Sequence, residues 1–115
     1  MTKEVTILGK TYPVIFVLQT IINYEELNNG KSFFGEKFED TISRIRLVVS
    51  AILAFNKDAD INFEELSKID TWEKTMEIIT AFSVVMELSA KFFNKPAIEP
   101  EDEPANEDDE EKPKN

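Results

Sequence analysis

Ile42-Ser-Arg-Ile-Arg-Leu-Val-Val-Ser-Ala-Ile-Leu-Ala-Phe55 is the stretch that decides the architecture. Wound as an α-helix, it gathers Ser43, Arg46 and Ser50 on one narrow stripe, with Arg44 beside them. Ile42, Ile45, Leu47, Val48, Val49, Ala51, Ile52, Leu53 and Phe55 cover most of the remaining circumference. A helix that is apolar most of the way round must be enclosed on several sides. Its apolar run from Leu47 to Phe55 falls far short of the roughly 20 residues that span a bilayer. It reads as a core helix, and its neighbours must come from the rest of the chain or from other chains.

The chain has 115 residues, a length that fits one domain. Its charge is unevenly spread. Residues Pro96 to Asn115 hold nine acidic side chains and two lysines, so −7 of the net −10 lies there. Four of the five prolines fall in the same segment, and Ile98 is its one large apolar residue. Such a composition buries too little surface to offset the entropy of ordering. We therefore expect a folded domain over 1–94 and a disordered acidic tail over 95–115.

Several chemistries are excluded by what is missing. Cysteine is absent, which rules out a disulfide, a thiol nucleophile and a thiolate metal site. Histidine is absent too, removing the commonest general base and metal ligand. The N-terminus Met-Thr-Lys-Glu-Val-Thr lacks an apolar signal core, so the expected location is the cytoplasm. An acidic chain without a Lys/Arg cluster is a poor nucleic-acid binder.

Working outward from the central helix, Lys3–Leu8 and Thr11–Phe16 carry strand formers around a Gly9-Lys10 turn signal, which predicts an N-terminal β-hairpin. Pro13 has no N–H to give a ladder and marks the second strand as an edge. A lone hairpin is marginal in water, so it must lie on helices or pair with another subunit. Val17 to Asn29 reads as a helix with Leu18, Ile21, Ile22, Tyr24 and Leu27 inward and Glu25 and Glu26 outward; Asn28-Asn29-Gly30 stops it. The loop Lys31–Phe38 holds Phe33, Phe34 and Phe38, which either fold back on the core, the favoured reading, or form a contact surface.

Asp40 is the expected N-cap of the central helix. Beyond it, Asn62 caps a short helix over Phe63–Lys68, Glu65 completes a capping box, and Ile61 with Leu66 forms the hydrophobic staple. Asp70 with Glu73 repeats the box and starts a long last helix, about Thr71–Asn94. That helix carries two apolar stripes. Trp72, Met76, Ile79, Phe82, Met86, Ala90 and Phe93 form one; Ile78, Ala81, Val85, Leu88 and Phe92 form the other. The fold class is thus mainly α: a bundle of about four helices with a short hairpin. Two long helices have more apolar surface than the remaining mass can cover, which predicts oligomerisation or a hydrophobic partner.

Candidate sites are few. Asp58-x-Asp60-x-Asn62 resembles the opening of a calcium loop, but Phe63 and Ile69 stand where its glycine and final glutamate belong. Helix capping explains the same residues. The adjacent pairs Glu25/Glu26 and Glu64/Glu65 diverge on a helix and read as solvated. No phosphate loop, serine nucleophile motif or metal cluster is visible, so we expect neither enzymatic activity nor a cofactor. Arg44 and Arg46 either border solvent or pair with an acid on the last helix such as Glu77 or Glu87, the favoured reading, or contact a partner.

The order of features does resemble one family. Thr6-Ile-Leu-Gly-Lys-Thr-Tyr-Pro-Val-Ile-Phe16, a helix ending Tyr24-Glu-Glu-Leu-Asn-Asn-Gly-Lys-Ser32, an apolar helix ending Ala54-Phe-Asn, then Ile61-Asn-Phe-Glu-Glu-Leu66, a long final helix and a charged tail are similar to the tail assembly chaperones of long-tailed bacteriophages and related prophages of Gram-positive hosts. The resemblance spans roughly 5–94 and is one of hydrophobic layout. It implies a small, helical, non-catalytic protein of the host cytoplasm that self-associates, keeps the hydrophobic tape measure protein soluble and helps recruit the major tail protein. It further implies absence from the finished virion, and often a longer frameshifted product. Under it, Phe33, Phe34, Phe38, Arg44, Arg46, Val85, Met86, Phe92 and Phe93 are the candidate partner contacts. Two other classes stay open: an acidic inhibitor that mimics DNA, and a small structural virion subunit such as a head–tail connector.

Overall fold

A computed structural model describes residues 1–94; the expected disordered segment 95–115 lies outside the described residues. The elements are β1 (Thr2–Ile7), β2 (Lys10–Ile15), α1 (Leu18–Leu27), α2 (Thr41–Phe55), α3 (Phe63–Leu66) and α4 (Trp72–Phe93). The mainly α architecture with an N-terminal hairpin is thus the one expected.

β1 and β2 pair antiparallel, with Ile7 opposite Lys10 and Pro13 opposite Glu4. The connection is therefore Leu8-Gly9, one residue earlier than the turn signal suggested. Both have positive φ, 54° and 81°, as two-residue hairpin turns that match the strand twist require. Leu8 is a turn residue rather than a strand residue, and its N–H donates to Glu77 Oε1 of α4 at 2.7 Å. Val5, Ile7, Val14 and Phe16 form the buried side of the hairpin, which packs on α2 and α4. The hairpin thus lies on its own helices, one of the two supports expected for it.

α2 lies at the centre, against α1, α4, α3 and β2. Leu47, Val48 and Ala51 are fully enclosed, and Val49 and Ile52 nearly so. The supposed polar stripe is not on the outside. Ser43 and Ser50 are both buried, while Ile42 and Phe55, at the two ends, are exposed. Serine can do this because its hydroxyl finds a partner within its own helix turn. Ser43 Oγ donates to the Asp40 carbonyl at 3.0 Å and to the Asp40 carboxylate, and Ser50 Oγ donates to the Arg46 carbonyl at 2.7 Å. Neither serine hydroxyl is left unpaired, so the small side chains allow close helix packing at little penalty. Asn23 of α1 exploits the approach and donates to the Ser50 carbonyl at 3.1 Å.

α1 departs further from its expected face. Ile21 and Tyr24 are buried as predicted, but Leu18, Ile22 and Leu27 are exposed and Thr20 is buried in their place. The Thr20 hydroxyl accepts from the Val17 N–H at 3.1 Å and donates to the Ile15 carbonyl at 3.0 Å. It thereby ties the end of β2 to the start of α1, and this polar junction fixes the helix rotation. The expected stop holds: Asn29 and Gly30 have φ of 57° and 82°.

Two helix starts need comment. Asn62 Oδ1 accepts from the Glu65 N–H at 2.8 Å, the cap that was expected, with Ile61 and Leu66 both buried beside it. α4 is capped by Thr71, whose Oγ1 accepts from the Lys74 N–H at 3.3 Å, rather than by Asp70. At α2, Asp40 occupies the capping position, but its carboxylate accepts from Ser43 Oγ and not from a backbone N–H.

Candidate partner-binding surface

α4 resolves which of its two stripes faces the core. Ile78, Ala81, Val85 and Leu88 are buried against the hairpin and α2. Trp72, Met76, Ile79, Met86, Ala90 and Phe93 are exposed, Trp72 at 69% of its surface. Phe92, a member of the stripe that faces the core, is 39% exposed at the helix end, where the core has run out.

At the start of this exposed face an apolar cleft of about 570 Å³ opens between three helices. Ile42 and Ile45 of α2, Phe63 and Leu66 of α3, and Trp72 and Ile79 of α4 line it, with Ile69 from the connection. Ile42 is 51% exposed at its lip. The short α3, held by its Asn62 cap, closes one side.

The other end of α4 meets an aromatic cluster. Phe16 lies 5.2 Å and 5.7 Å from the Phe92 and Phe93 rings, and Phe33 lies 5.9 Å from Phe16 and 5.6 Å from Tyr24. Phe38 contacts Tyr24, Phe33 and Phe82. Offset and edge-on pairs of this kind add about 0.5–1.5 kcal/mol each beyond burial. The three loop phenylalanines therefore divide. Phe33 is buried at the centre of the cluster, Phe38 is half-buried, and Phe34 is 63% exposed with its ring 6.2 Å from Phe93. The loop is held by polar anchors as well: Glu25 Oε2 accepts from the Phe33 N–H at 2.9 Å, so Glu25 is not simply a solvated acid.

Arg44 and Arg46 pair with neither Glu77 nor Glu87. Arg44 Nε donates to the Phe38 carbonyl at 2.7 Å and its guanidinium lies 5.5 Å from the Phe82 ring centre. Arg46 lies 5.5 Å from the Tyr24 ring centre. The two glutamates are engaged with the hairpin, Glu77 with Leu8 and Glu87 with Lys3 at 3.2 Å. Arg44 thus clamps the loop end at Phe38 against α4, while Arg46 holds α2 against the Tyr24 ring of α1. Of the nine candidate contacts, Val85 and Phe33 are enclosed and offer no surface, and Phe38, Arg44 and Arg46 are half-buried. Phe34, Phe92 and Phe93 are exposed together at the end of α4, and Met86 is exposed two turns earlier on its outward face. Trp72, Met76, Ile79 and Ile42 belong to the same exposed face but were not among the nine. Their exposure depends on how α4 is rotated, which the two competing stripes left undecided.

The electrostatics of this region are modest. The Ser43 hydroxyl holds the Asp40 carboxyl below its ordinary value, and burial raises the Tyr24 phenol against the pull of Arg46. Lys10 is raised by its contact with Asp60, 3.2 Å away on the surface. Asp60 also accepts from the Tyr12 hydroxyl through its carbonyl and so fastens the hairpin to the α2–α3 connection, while Asn62 is spent on its cap. Among the described residues no three acidic, histidine or cysteine side chains gather as a metal site, and no helix is long and apolar enough to cross a membrane. Comparison with protein-family models, curated proteins and solved structures found no match to this chain.

Proposed function

We propose that this protein is a non-catalytic chaperone of the phage tail assembly type, which binds apolar helical segments of a tape measure protein and aids recruitment of the major tail protein. The observation that carries this reading is the apolar face that runs from Ile42 and Trp72 along α4 to Phe93 and Phe34. Exposed contiguous apolar surface on a small domain marks a binding site for another chain. A cleft between helices suits an amphipathic helix, whose apolar face supplies anchors at i, i+3, i+4 and i+7. The net charge of −7 on 96–115 supports the same reading, since like-charged segments keep apolar-surfaced molecules apart. In this role the protein works in the host cytoplasm and leaves before the virion is complete.

The test is co-expression with a phage tape measure protein. The expected result is a soluble complex that a charge in the cleft, Ile42→Glu, abolishes and that deletion of 96–115 leaves intact. A tape measure protein that stays insoluble and unbound in the presence of this chain overturns the reading. Recovery of the chain from purified particles favours a structural virion subunit instead.

A further inference from the structure

The exposed residues of α4 have a spacing of their own. Trp72, Met76, Ile79, Ser83, Met86, Ala90 and Phe93 follow one another by 4, 3, 4, 3, 4 and 3 residues, and every one of them is exposed. This is a seam of period 3.5, three heptads long, with Ser83 as its one polar member. A straight helix packing in a globular core follows 3.6, whereas a repeat of 3.5 suits two helices that supercoil about each other. The buried residues Ile78, Ala81, Val85 and Leu88 lie on the other side of the helix, so the seam is not a by-product of the core.

We propose that α4 pairs antiparallel with α4 of a second copy of this chain along this seam. Charge and size select the direction. In the antiparallel register that sets Met76 opposite Phe93, Ile79 falls opposite Ala90 and Ser83 opposite Met86, so a small residue meets a large one in two of the three distinct layers. Of the flanking positions, Glu87 then faces Thr80 and Glu73 faces Asn94, and no two carboxylates meet. Trp72 of one copy reaches the end of the other where Phe93 and Phe34 stand, 6.2 Å apart. A parallel pair would instead stack Trp72 on Trp72 and bring two segments of net charge −7 to the same end. Antiparallel helices start those segments about 33 Å apart, several Debye lengths at physiological salt. The seam also passes the mouth of the α2–α3–α4 cleft through Trp72 and Ile79, so self-pairing and occupation of that cleft compete.

Sedimentation equilibrium of the full chain tests the pairing without any client. The expected result is a dimer whose dissociation constant rises at least about 100-fold in Ile79→Glu/Met86→Glu and falls about tenfold in Ser83→Leu, which fills the polar position of the seam. Both altered glutamate sites are exposed in the single chain, so far-ultraviolet circular dichroism should stay unchanged. Leu18→Glu, on the exposed face of α1, should leave the dimer as it is. Direction is read by cross-linking, since the chain has no cysteine of its own. A mixture of Ile79→Cys and Ala90→Cys chains should oxidise to the mixed disulfide. A monomer at about 100 μM, an oligomer indifferent to the seam variants, or preferential Ile79→Cys homodisulfides each overturn the proposal. A seam whose variants alter only tape measure binding does so too, and assigns the surface to the client. The chaperone reading fails on client solubility, a different measurement.

Discussion

Tyr24 offers the sharpest test of the packing argument. Its side chain is fully buried, and its hydroxyl has no hydrogen-bond partner among the described residues. The ring does the work. It meets Phe33 edge-on at 5.6 Å and Phe38 at 5.5 Å, and Arg46 lies 5.5 Å from its centre. Tyr24→Phe keeps the ring contacts and removes the hydroxyl, and with it the pull of Arg46 on the phenol oxygen. Leaving a buried polar group without a partner costs about 1–3 kcal/mol, so deleting it should recover about 1 kcal/mol. For a domain of this size that corresponds to a rise in Tm of about 4–8 °C. Thermal denaturation followed by circular dichroism measures it directly.

The same residue gives a pH dependence. Burial raises the phenol above its ordinary value of 10.0, so the folded chain resists ionisation that the unfolded chain undergoes freely. The stabilisation is complete below about pH 10 and is lost as the pH climbs from there through the raised value. Tyr24→Phe should therefore lose less stability than the parent above about pH 10. A variant that melts several degrees lower than the parent, or one with an unchanged alkaline decline, would show that the hydroxyl is satisfied, and the reasoning would fail.

Helix capping and acid stability supply further tests. Thr71→Ala should cost about 1 kcal/mol by chemical denaturation, and Asp70→Ala only a few tenths, because Thr71 makes the capping bond to Lys74. Equal losses would return the cap to Asp70. Asp40 is held below its ordinary value by Ser43, so its contribution is present above about pH 4 and vanishes as the pH falls through the lowered value. Ser43→Ala should accordingly flatten the acid limb of the stability profile below about pH 4; a limb of unchanged steepness would count against that contact.

The elements of this fold were legible because each has a local cause. Hydrophobic periodicity marked α2 and α4, Asn62 and Asn29-Gly30 marked a start and a stop, and β-formers around Gly9 marked the hairpin. Those are properties of a few neighbouring residues and survive in any tertiary context. What misled were the polar residues that bury. Ser43 and Ser50 fell on the polar stripe and Thr20 outside the inward set of its helix, yet each hydroxyl is satisfied by a nearby backbone carbonyl, and once satisfied it packs like a small apolar group. Arg44 and Arg46 misled in the opposite sense. Acids on α4 were their favoured partners, but Arg44 goes to the Phe38 carbonyl and the Phe82 ring, and Arg46 to the Tyr24 ring.

The sequence by itself determined that two long helices carry more apolar surface than the rest of the chain can cover. That excess follows from composition and period alone. Which part of it stays open was decided by tertiary structure. α4 could turn either of two stripes inward, and both are apolar enough. The hairpin settles the matter: Leu8 bonded to Glu77 and Lys3 to Glu87 fix those glutamates toward β1. With that edge pinned, Ile78, Ala81, Val85 and Leu88 must face the core, and the heptad-spaced face from Trp72 to Phe93 is left outward. Contacts between residues 69 positions apart in the chain make that choice, and no local pattern records them.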